Sequence, residues 1–282
     1  MNVLDPDTRT GLREALQRDA GRLAQGQRCP IDLFESARAL NLSIRLDPSL
    51  PSEGALVQER GRSVIVIGGP GVNRQRQRFT VAHEIGHHLL DVYGLSRPQT
   101  PKEYWLVENL CHFFAGCLLI PNPVISWVRA AEPNEPHHLL TLAMTAMERA
   151  DVSAAAISHR LRDELPGTAF CEVSYSRSSE SDVSGIVRWV AERFPWLRAG
   201  AKRKLRADHF LSRLMHAHRQ SRYGAITLGY MNGLPVAGVR RTSSVWVVCL
   251  DRAQSEEHST IPDQLGLPWD LEQTPNGLAC SI

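Results

Sequence analysis

Two histidines four residues apart, with a glutamate beside the first, are the residues of this chain best suited to chemistry. They are His83, Glu84 and His87, in the pattern His-Glu-x-x-His. On a helix, positions four apart lie on one face, so both imidazoles can bind a single metal ion. Glu84 then projects beside the ion, where its carboxylate can act as the general base that deprotonates a metal-bound water. The motif predicts metal-assisted hydrolysis.

The motif lies in a stretch that we predict to be helical from about residue 75 to residue 93. Its apolar residues recur at helical spacing, and Gly94 is a suitable end of the helix. Gly86 inside this helix costs about 1 kcal/mol relative to alanine, which indicates a close neighbour at that position. The alternative interpretation is a buried amphipathic helix whose histidines form hydrogen bonds only.

A metal site with two histidines needs a third protein ligand and one open position for water. Glu108 is the candidate, because it lies on an apolar helix predicted over residues 100–120. A carboxylate on such a helix is costly to bury unless it is paired or bound to a cation. A short loop lets this helix pack antiparallel to the first, which brings Glu108 to His83 and His87. Glu103 is the competing carboxylate, but its place in the first turn marks it as part of a capping box.

Two segments of the chain resemble the motifs of a known enzyme family, the ImmA/IrrE metallopeptidases. Residues 78–87 read RFTVAHEIGH, and residues 108–121 read ENLCHFFAGCLLIP. The second segment is similar to the family's glutamate followed by an apolar helix that ends in Leu-Leu-Met-Pro. Together with the helix predicted at residues 31–40, the resemblance extends over roughly residues 28–165.

The resemblance implies a gluzincin-type metalloendopeptidase, with zinc held by His83, His87 and Glu108 and with Glu84 catalytic. Mn²⁺ is an alternative activating metal. The residue four positions after the glutamate is usually asparagine in this family, and here it is His112. On a helix this residue lies on the Glu108 face, where it either orients a metal ligand or only fills space.

The family resemblance also implies a substrate and a setting. Its known targets are helix-turn-helix transcriptional repressors, cleaved to derepress stress, DNA-damage or mobile-element regulons. Two alternatives remain open: a regulator that binds DNA or a partner protein without cutting it, and a component of a toxin–antitoxin or phage module. Replacement of Glu84 separates cleavage from binding.

Composition is compatible with a cytoplasmic enzyme. The chain has 282 residues, 43% of them hydrophobic, and a net charge of +2. No apolar run reaches the eighteen or so residues of a membrane span, and the N-terminus lacks the form of a signal peptide. Six scattered cysteines without a Cys-x-x-Cys pair indicate reduced thiols rather than disulfides.

The predicted fold class is α+β: a zincin-like metallopeptidase core, a helical hairpin and a smaller α+β C-terminal domain, for which a sensor-like role is one interpretation. In the core, three short strands form a small sheet packed on the helices that carry the motif and Glu108. A substrate segment can pair with an exposed sheet edge, and either strand 54–58 or strand 63–67 is that edge. The predicted domains are 1–128 (metallopeptidase), 129–166 (helical) and 167–282 (C-terminal).

Residues beyond the apolar helix give further predictions. Pro121 and Pro123 are expected to end that helix. Residues 135–149 and 154–165 are predicted helices, either a DNA-binding helix-turn-helix or, as we favour, a hairpin that closes the core. Further predicted elements follow, namely strands at 169–175, 225–230, 235–240 and 244–250 and helices at 183–194 and 205–220, before an irregular tail from residue 253.

Basic residues raise the question of a nucleic-acid partner, which is possible but not favoured. Residues 201–222 contain seven Lys/Arg residues and one acid, which fits nucleic acid or an acidic partner but is more typical of a solvated helix face. Arg74, Arg76 and Arg78 open the metal helix. They either steer an acidic substrate or solvate a loop.

Overall fold

The computed structural model describes residues 5–68, 73–95, 98–165, 167–177, 183–190, 202–205, 226–231, 234–240 and 244–250. The helices in these ranges are α1 (Pro6–Ala24), α2 (Leu33–Ala39), α3 (Arg74–Val92), α4 (Pro101–Leu119), α5 (Asn122–Ala130), α6 (Pro136–Ala150) and α7 (Ala154–Glu164). The strands are β1 (Ser43–Asp47), β2 (Gly54–Glu59), β3 (Arg62–Gly68), β4 (Thr168–Arg177), β5 (Val183–Val190), β6 (Lys202–Leu205), β7 (Thr227–Met231), β8 (Leu234–Arg240) and β9 (Ser244–Leu250). The α+β prediction is confirmed, whereas the division at residues 128 and 166 stays a prediction.

The first sheet has three strands in the order β1-β3-β2. Its centre is β3, whose run Val64–Ile67 is buried and rich in the β-branched residues that favour strands. Strand β1 pairs with β3 in parallel and β2 pairs with β3 antiparallel. Of the two strands that the sequence left open as the exposed edge, β2 therefore lies at the edge and β3 does not.

Helices α3 and α4 form the antiparallel pair that the sequence predicts. The capping box of α4 is present: the Thr100 side chain accepts from the Glu103 N–H, and Glu103 in turn accepts from the Thr100 N–H. A Cβ added to Gly86 would lie 3.1 Å from the Cys111 Cα. The close neighbour expected at Gly86 is thus the backbone of α4, which approaches α3 directly at this point.

The predicted end of α4 near residue 120 is confirmed, but helix α5 was not predicted and one predicted helix is a strand. The prolines at 121 and 123 end α4, but they also begin α5, because proline is tolerated in the first turn of a helix. Residues 183–190 of the helix predicted at 183–194 are instead strand β5, which pairs antiparallel with β4, and residues 191–194 lie outside the described residues. Its Val, Ile and Trp residues favour a strand, and pairing with β4 decides the outcome. Most of the helix predicted at 205–220, and the tail from residue 253, lie outside the described residues.

The six-stranded second sheet has the order β6-β5-β4-β9-β8-β7. Helices α6 and α7 pack on it, with α6 against β8 and β9 and α7 against β4. The indole N–H of Trp246 donates to the Ser158 hydroxyl at 3.1 Å, and both side chains are buried. One apolar core cluster includes residues from α1 to β9, so the hairpin of α6 and α7 packs in the same core as both sheets.

The packing of α7 favours the hairpin interpretation over a DNA-binding one. Arg160, one of the few residues that could have faced a groove, is 3% exposed. Its guanidinium donates to Asn122 Oδ1 at 2.9 Å and pairs with Glu164. In the described part of the chain no single helix is long and apolar enough to cross a membrane. Helices α4 and α5, bent by 71° at their junction, meet that criterion only as a pair, by length and composition.

Candidate metal centre

The side chains of His83, His87 and Glu108 converge at one point between α3 and α4. The Nε2 atoms of the two histidines are 3.1 Å apart. The Glu108 carboxylate reaches both rings: Oε2 lies 3.2 Å from His83 Nε2, and Oε1 lies 3.4 Å from His87 Nε2. The exposed fractions of these side chains are 12%, 26% and 17% in the order named, so the point of convergence is largely shielded from solvent.

These separations fit a bound metal ion. Ligand atoms that lie about 2.0–2.1 Å from a tetrahedral zinc ion are about 3.3–3.4 Å from one another, which is close to the observed spacings. Two imidazoles and one carboxylate are also a donor set that catalytic zinc sites use, with the fourth position left open. The chemistry of the donors and their geometry therefore agree.

The Glu108 carboxylate and the His87 imidazole shift each other's pKa. Burial acts to raise the pKa of Glu108, but hydrogen bonds from His83 and His87 outweigh it and hold that pKa well below its usual range. Burial acts to lower the pKa of His87, but the Glu108 carboxylate outweighs it and raises that pKa. The site thus favours a cation held against the carboxylate.

Glu84 lies beside this cluster and is 8% exposed. Burial raises its pKa, while the two histidines and a hydrogen bond from the Leu56 backbone N–H oppose the rise. A carboxyl with a raised pKa is suited to proton transfer near neutral pH. Its Oε1 would also lie 3.4 Å from a Cβ added to Gly54, so Glu84 faces the first residue of β2.

The His112 ring lies against His83, with 4.7 Å between the ring centroids, and against Phe79 at 5.6 Å. Burial, with repulsion from His83 next, lowers the pKa of His112 to about 4, so its ring is neutral at physiological pH. The Nδ1 atom of His83 is buried and finds no hydrogen-bond partner among the described residues. On the Nδ1 side, ring contacts with His112 and Phe79 rather than a hydrogen bond therefore hold the His83 imidazole in place.

A cleft of about 350 Å³ opens onto the cluster. One wall is the start of β2, where Gly54 and Ala55 face the cavity. A Cβ at Gly54 would approach the Thr80 side chain to 2.3 Å, so only glycine lets the edge strand come this close to α3. The cleft is lined by Glu53, Gly54, Ala55, Arg76, Phe79, Thr80, His83, Glu84, His87, Tyr104, Glu108 and His112.

The three arginines that open α3 have different environments. Arg76 lines the cleft and pairs with Glu53, with 2.5 Å between Nε and Oε2. Arg78 is largely buried, donates to the Ile31 carbonyl at 3.1 Å and lies 3.7 Å from the Asp151 carboxylate. Arg74 is exposed and also pairs with Asp151. Only Arg76 is placed to meet a ligand in the cleft, and the other two fasten α3 to neighbouring loops.

Two residues near the centre were missed from the sequence. Cys111 is buried, and its sulfur lies within 4.8 Å of donor nitrogens of His83 and His87. Its position one turn after Glu108 was the available signal. Tyr104, one turn before Glu108 on the same helix face, lines the cleft and was also overlooked. None of the five cysteines in the described ranges is in a disulfide.

Comparison with known proteins agrees with this geometry. Residues 37–162 match a peptidase family described as the IrrE N-terminal-like domain. The chain is 29% identical over 110 residues to a radiation response metalloprotease IrrE of Deinococcus radiodurans, an alignment that covers 36% of this chain and 32% of that protein. It is 28% identical over 155 residues to a protein of the same name in Deinococcus deserti, covering 51% and 52% of the two chains.

A solved structure of a Mycobacterium tuberculosis transcriptional regulator has the same fold over most of its length. The TM-score is 0.52 at 16% identity, and the match covers 85% of this chain and 76% of that one. The aligned parts of the two Deinococcus relatives are about a third and about half of their lengths. Residues 37–162 are thus similar to the IrrE N-terminal-like domain of this peptidase family, and the cluster of His83, His87 and Glu108 lies within the matched residues.

Proposed function

We propose that this protein is a zinc-dependent endopeptidase. The observation that carries the proposal is the convergence of His83, His87 and Glu108 within 3.4 Å of one another, beside a buried glutamate and at the base of a cleft. A structural metal site would be closed by four protein ligands, whereas this cluster faces open space on its cleft side. Mn²⁺ is a second candidate ion for the same donors.

Each side chain has a role in this proposal. His83, His87 and Glu108 would hold the ion, which when bound supplies Lewis-acid polarisation of a peptide carbonyl and acidifies water. Glu84 takes a proton from the attacking water and passes it to the leaving amine, for which its raised pKa is suited. His112 keeps the His83 ring in its orientation through direct ring contact.

The substrate would bind as an added strand on β2. This strand is the edge of its sheet, and its first residues face the cleft. Backbone hydrogen bonds to an edge strand give affinity for an extended polypeptide and present one carbonyl to the ion. We propose a helix-turn-helix transcriptional repressor as the substrate, with derepression of a stress, DNA-damage or mobile-element regulon as the outcome. The names of the Deinococcus relatives and of the mycobacterial regulator support a regulatory setting.

A cytoplasmic location belongs to the same proposal. Reduced thiols are typical of that compartment, and none of the five cysteines in the described ranges is in a disulfide. The C-terminal sheet would then carry a regulatory role, as predicted for a sensor-like domain.

The test uses the zinc-loaded protein and candidate helix-turn-helix repressors, beginning with any that a neighbouring gene encodes. We expect the native protein to cut the repressor and Glu84→Gln to cut it at least about 100-fold more slowly while keeping one zinc per chain. Glu148→Gln, on an exposed position of α6, is the matched control and should cut normally. Cleavage that survives in Glu84→Gln would exclude the proposed base. Derepression that survives without cleavage would favour the non-proteolytic regulator.

A further inference from the structure

The two ends of the cleft differ in chemistry, and the direction of the helices defines them. Helices α3 and α4 are antiparallel, because His87 and His83 both contact Glu108 while Phe79 contacts His112. Tyr104, one turn before Glu108, therefore lies toward the His87 end of the cleft. Arg76 lies at the opposite end, beyond Phe79.

The His87 end is aromatic. Tyr104 lines the cleft and is 43% exposed, and the neighbouring Trp105 is 41% exposed. Their rings meet edge to face, with 5.6 Å between centroids and 77° between planes. Such a pair offers a broad, largely apolar surface in which each ring packs against the other. The opposite end carries the ion pair of Arg76 and Glu53 beyond Phe79, so the Tyr104 end is the better match for a large apolar side chain.

We propose that Tyr104, supported by Trp105, forms a subsite that selects a large apolar or aromatic side chain of the polypeptide substrate. The proposed occupant is a side chain of the substrate, because the aromatic surface adjoins the cleft that ends at the metal cluster. The subsite rests on the proposed peptidase function and specifies which sequences it would accept.

The direction of β2 indicates on which side of the cut this side chain lies. Gly54 faces Thr80, and the Leu56 N–H reaches Glu84, so β2 runs in the same direction as α3. A strand added antiparallel to β2 then runs from the Tyr104 end toward the Arg76 end. The selected side chain accordingly belongs to a residue on the N-terminal side of the scissile bond.

Amino-acid hydroxamates test this subsite without a known substrate, because the hydroxamate binds an open metal site and the side chain probes the adjoining surface. Phenylalanine hydroxamate and alanine hydroxamate would be titrated calorimetrically into the zinc-loaded full chain. We expect the phenyl compound to bind about tenfold tighter in the native protein. The ratio should fall to near one in Tyr104→Ala and stay near tenfold in Tyr104→Phe, which keeps the ring.

Phe34→Ala is the matched control, since it removes an aromatic ring that is 69% exposed on α2, outside the cleft lining. It should keep the native ratio. Zinc content is measured first for every variant. Equal affinities in the native protein, or an unchanged ratio in Tyr104→Ala, overturn the subsite while leaving the peptidase proposal intact. If neither hydroxamate binds protein that holds one zinc, the open metal site and the subsite are both refuted.

Discussion

Replacing Gly86 by alanine should weaken metal binding through the backbone alone. The added Cβ would lie 3.1 Å from the Cys111 Cα and 3.2 Å from the Phe114 ring. The first of these neighbours is a backbone atom and cannot rotate away, so α3 and α4 must separate by a few tenths of an ångström. Because Glu108 and the histidines lie on opposite helices, the metal ligands separate with them.

The change in the free energy of unfolding follows from two opposing effects. Overpacking of a well-filled core costs about 1–3 kcal/mol. Alanine in place of glycine returns about 1 kcal/mol of helix propensity. We therefore expect Gly86→Ala to lose up to about 2 kcal/mol in the free energy of unfolding. Metal sites tolerate ligand displacements of only about 0.2 Å, so zinc affinity should fall about tenfold or more.

The measurement pairs urea unfolding of the metal-free protein with zinc competition against a chromogenic chelator. Gly116→Ala, on the facing helix, is the matched control, because its Cβ would meet only the Arg160 Cδ at 3.9 Å. That variant should gain stability, by up to about 1 kcal/mol, and keep its zinc affinity. If Gly86→Ala were as stable as Gly116→Ala and bound zinc normally, the close approach of the two helices would not be what sets the ligand spacing.

Two further predictions concern the metal-free pair and the buried arginine. Because folding raises the pKa of His87, its protonated ring stabilises the fold fully below about pH 6.5, the unfolded value, and this stabilisation is lost as pH rises through the raised pKa. Because folding lowers the pKa of Glu108, its carboxylate stabilises the fold fully above about pH 4.3, and this stabilisation is lost as pH falls through the lowered pKa. Urea midpoints of the metal-free protein should therefore exceed those of Glu108→Gln most between these two values, and a constant difference would refute the pairing. Arg160→Met, which leaves Glu164 with only the more exposed Arg129 as partner and removes the donor to Asn122 Oδ1, should lose about 2–3 kcal/mol in urea unfolding. Arg162→Met, the more exposed control beside Asp163, should lose less than about 1 kcal/mol, and equal losses would contradict the structure.

Much of the candidate site was predictable, because its spacing is local. The helical period places His83 and His87 on one face, and the cost of burying Glu108 on an apolar helix identifies it as paired. Tyr104 and Cys111 were not predictable in the same way, since an aromatic residue or a thiol on an apolar helix is usually core. Only the three-dimensional position of the cleft separates Tyr104 from its apolar neighbours.

The fold was least predictable where tertiary pairing outweighs local preference. The segment at 183–190 has residues compatible with either helix or strand, and the pairing with β4 decides. The end of α4 was predicted correctly, but α5 was missed, because a proline that ends one helix can also stand at the start of the next and the sequence signal is the same. The choice of β2 as the sheet edge depends on strand order, which no local pattern encodes.

The hydrogen bond between Trp246 and Ser158 has a consequence for how such a chain can be altered over time. Helices α6 and α7 are covered by the core helices on one side and by the second sheet on the other. A recombination that exchanged the sheet for an unrelated module would expose the leucine and alanine side chains of this helix face to solvent. Successful exchanges must therefore bring the hairpin along with its sheet, so that these two parts are inherited together.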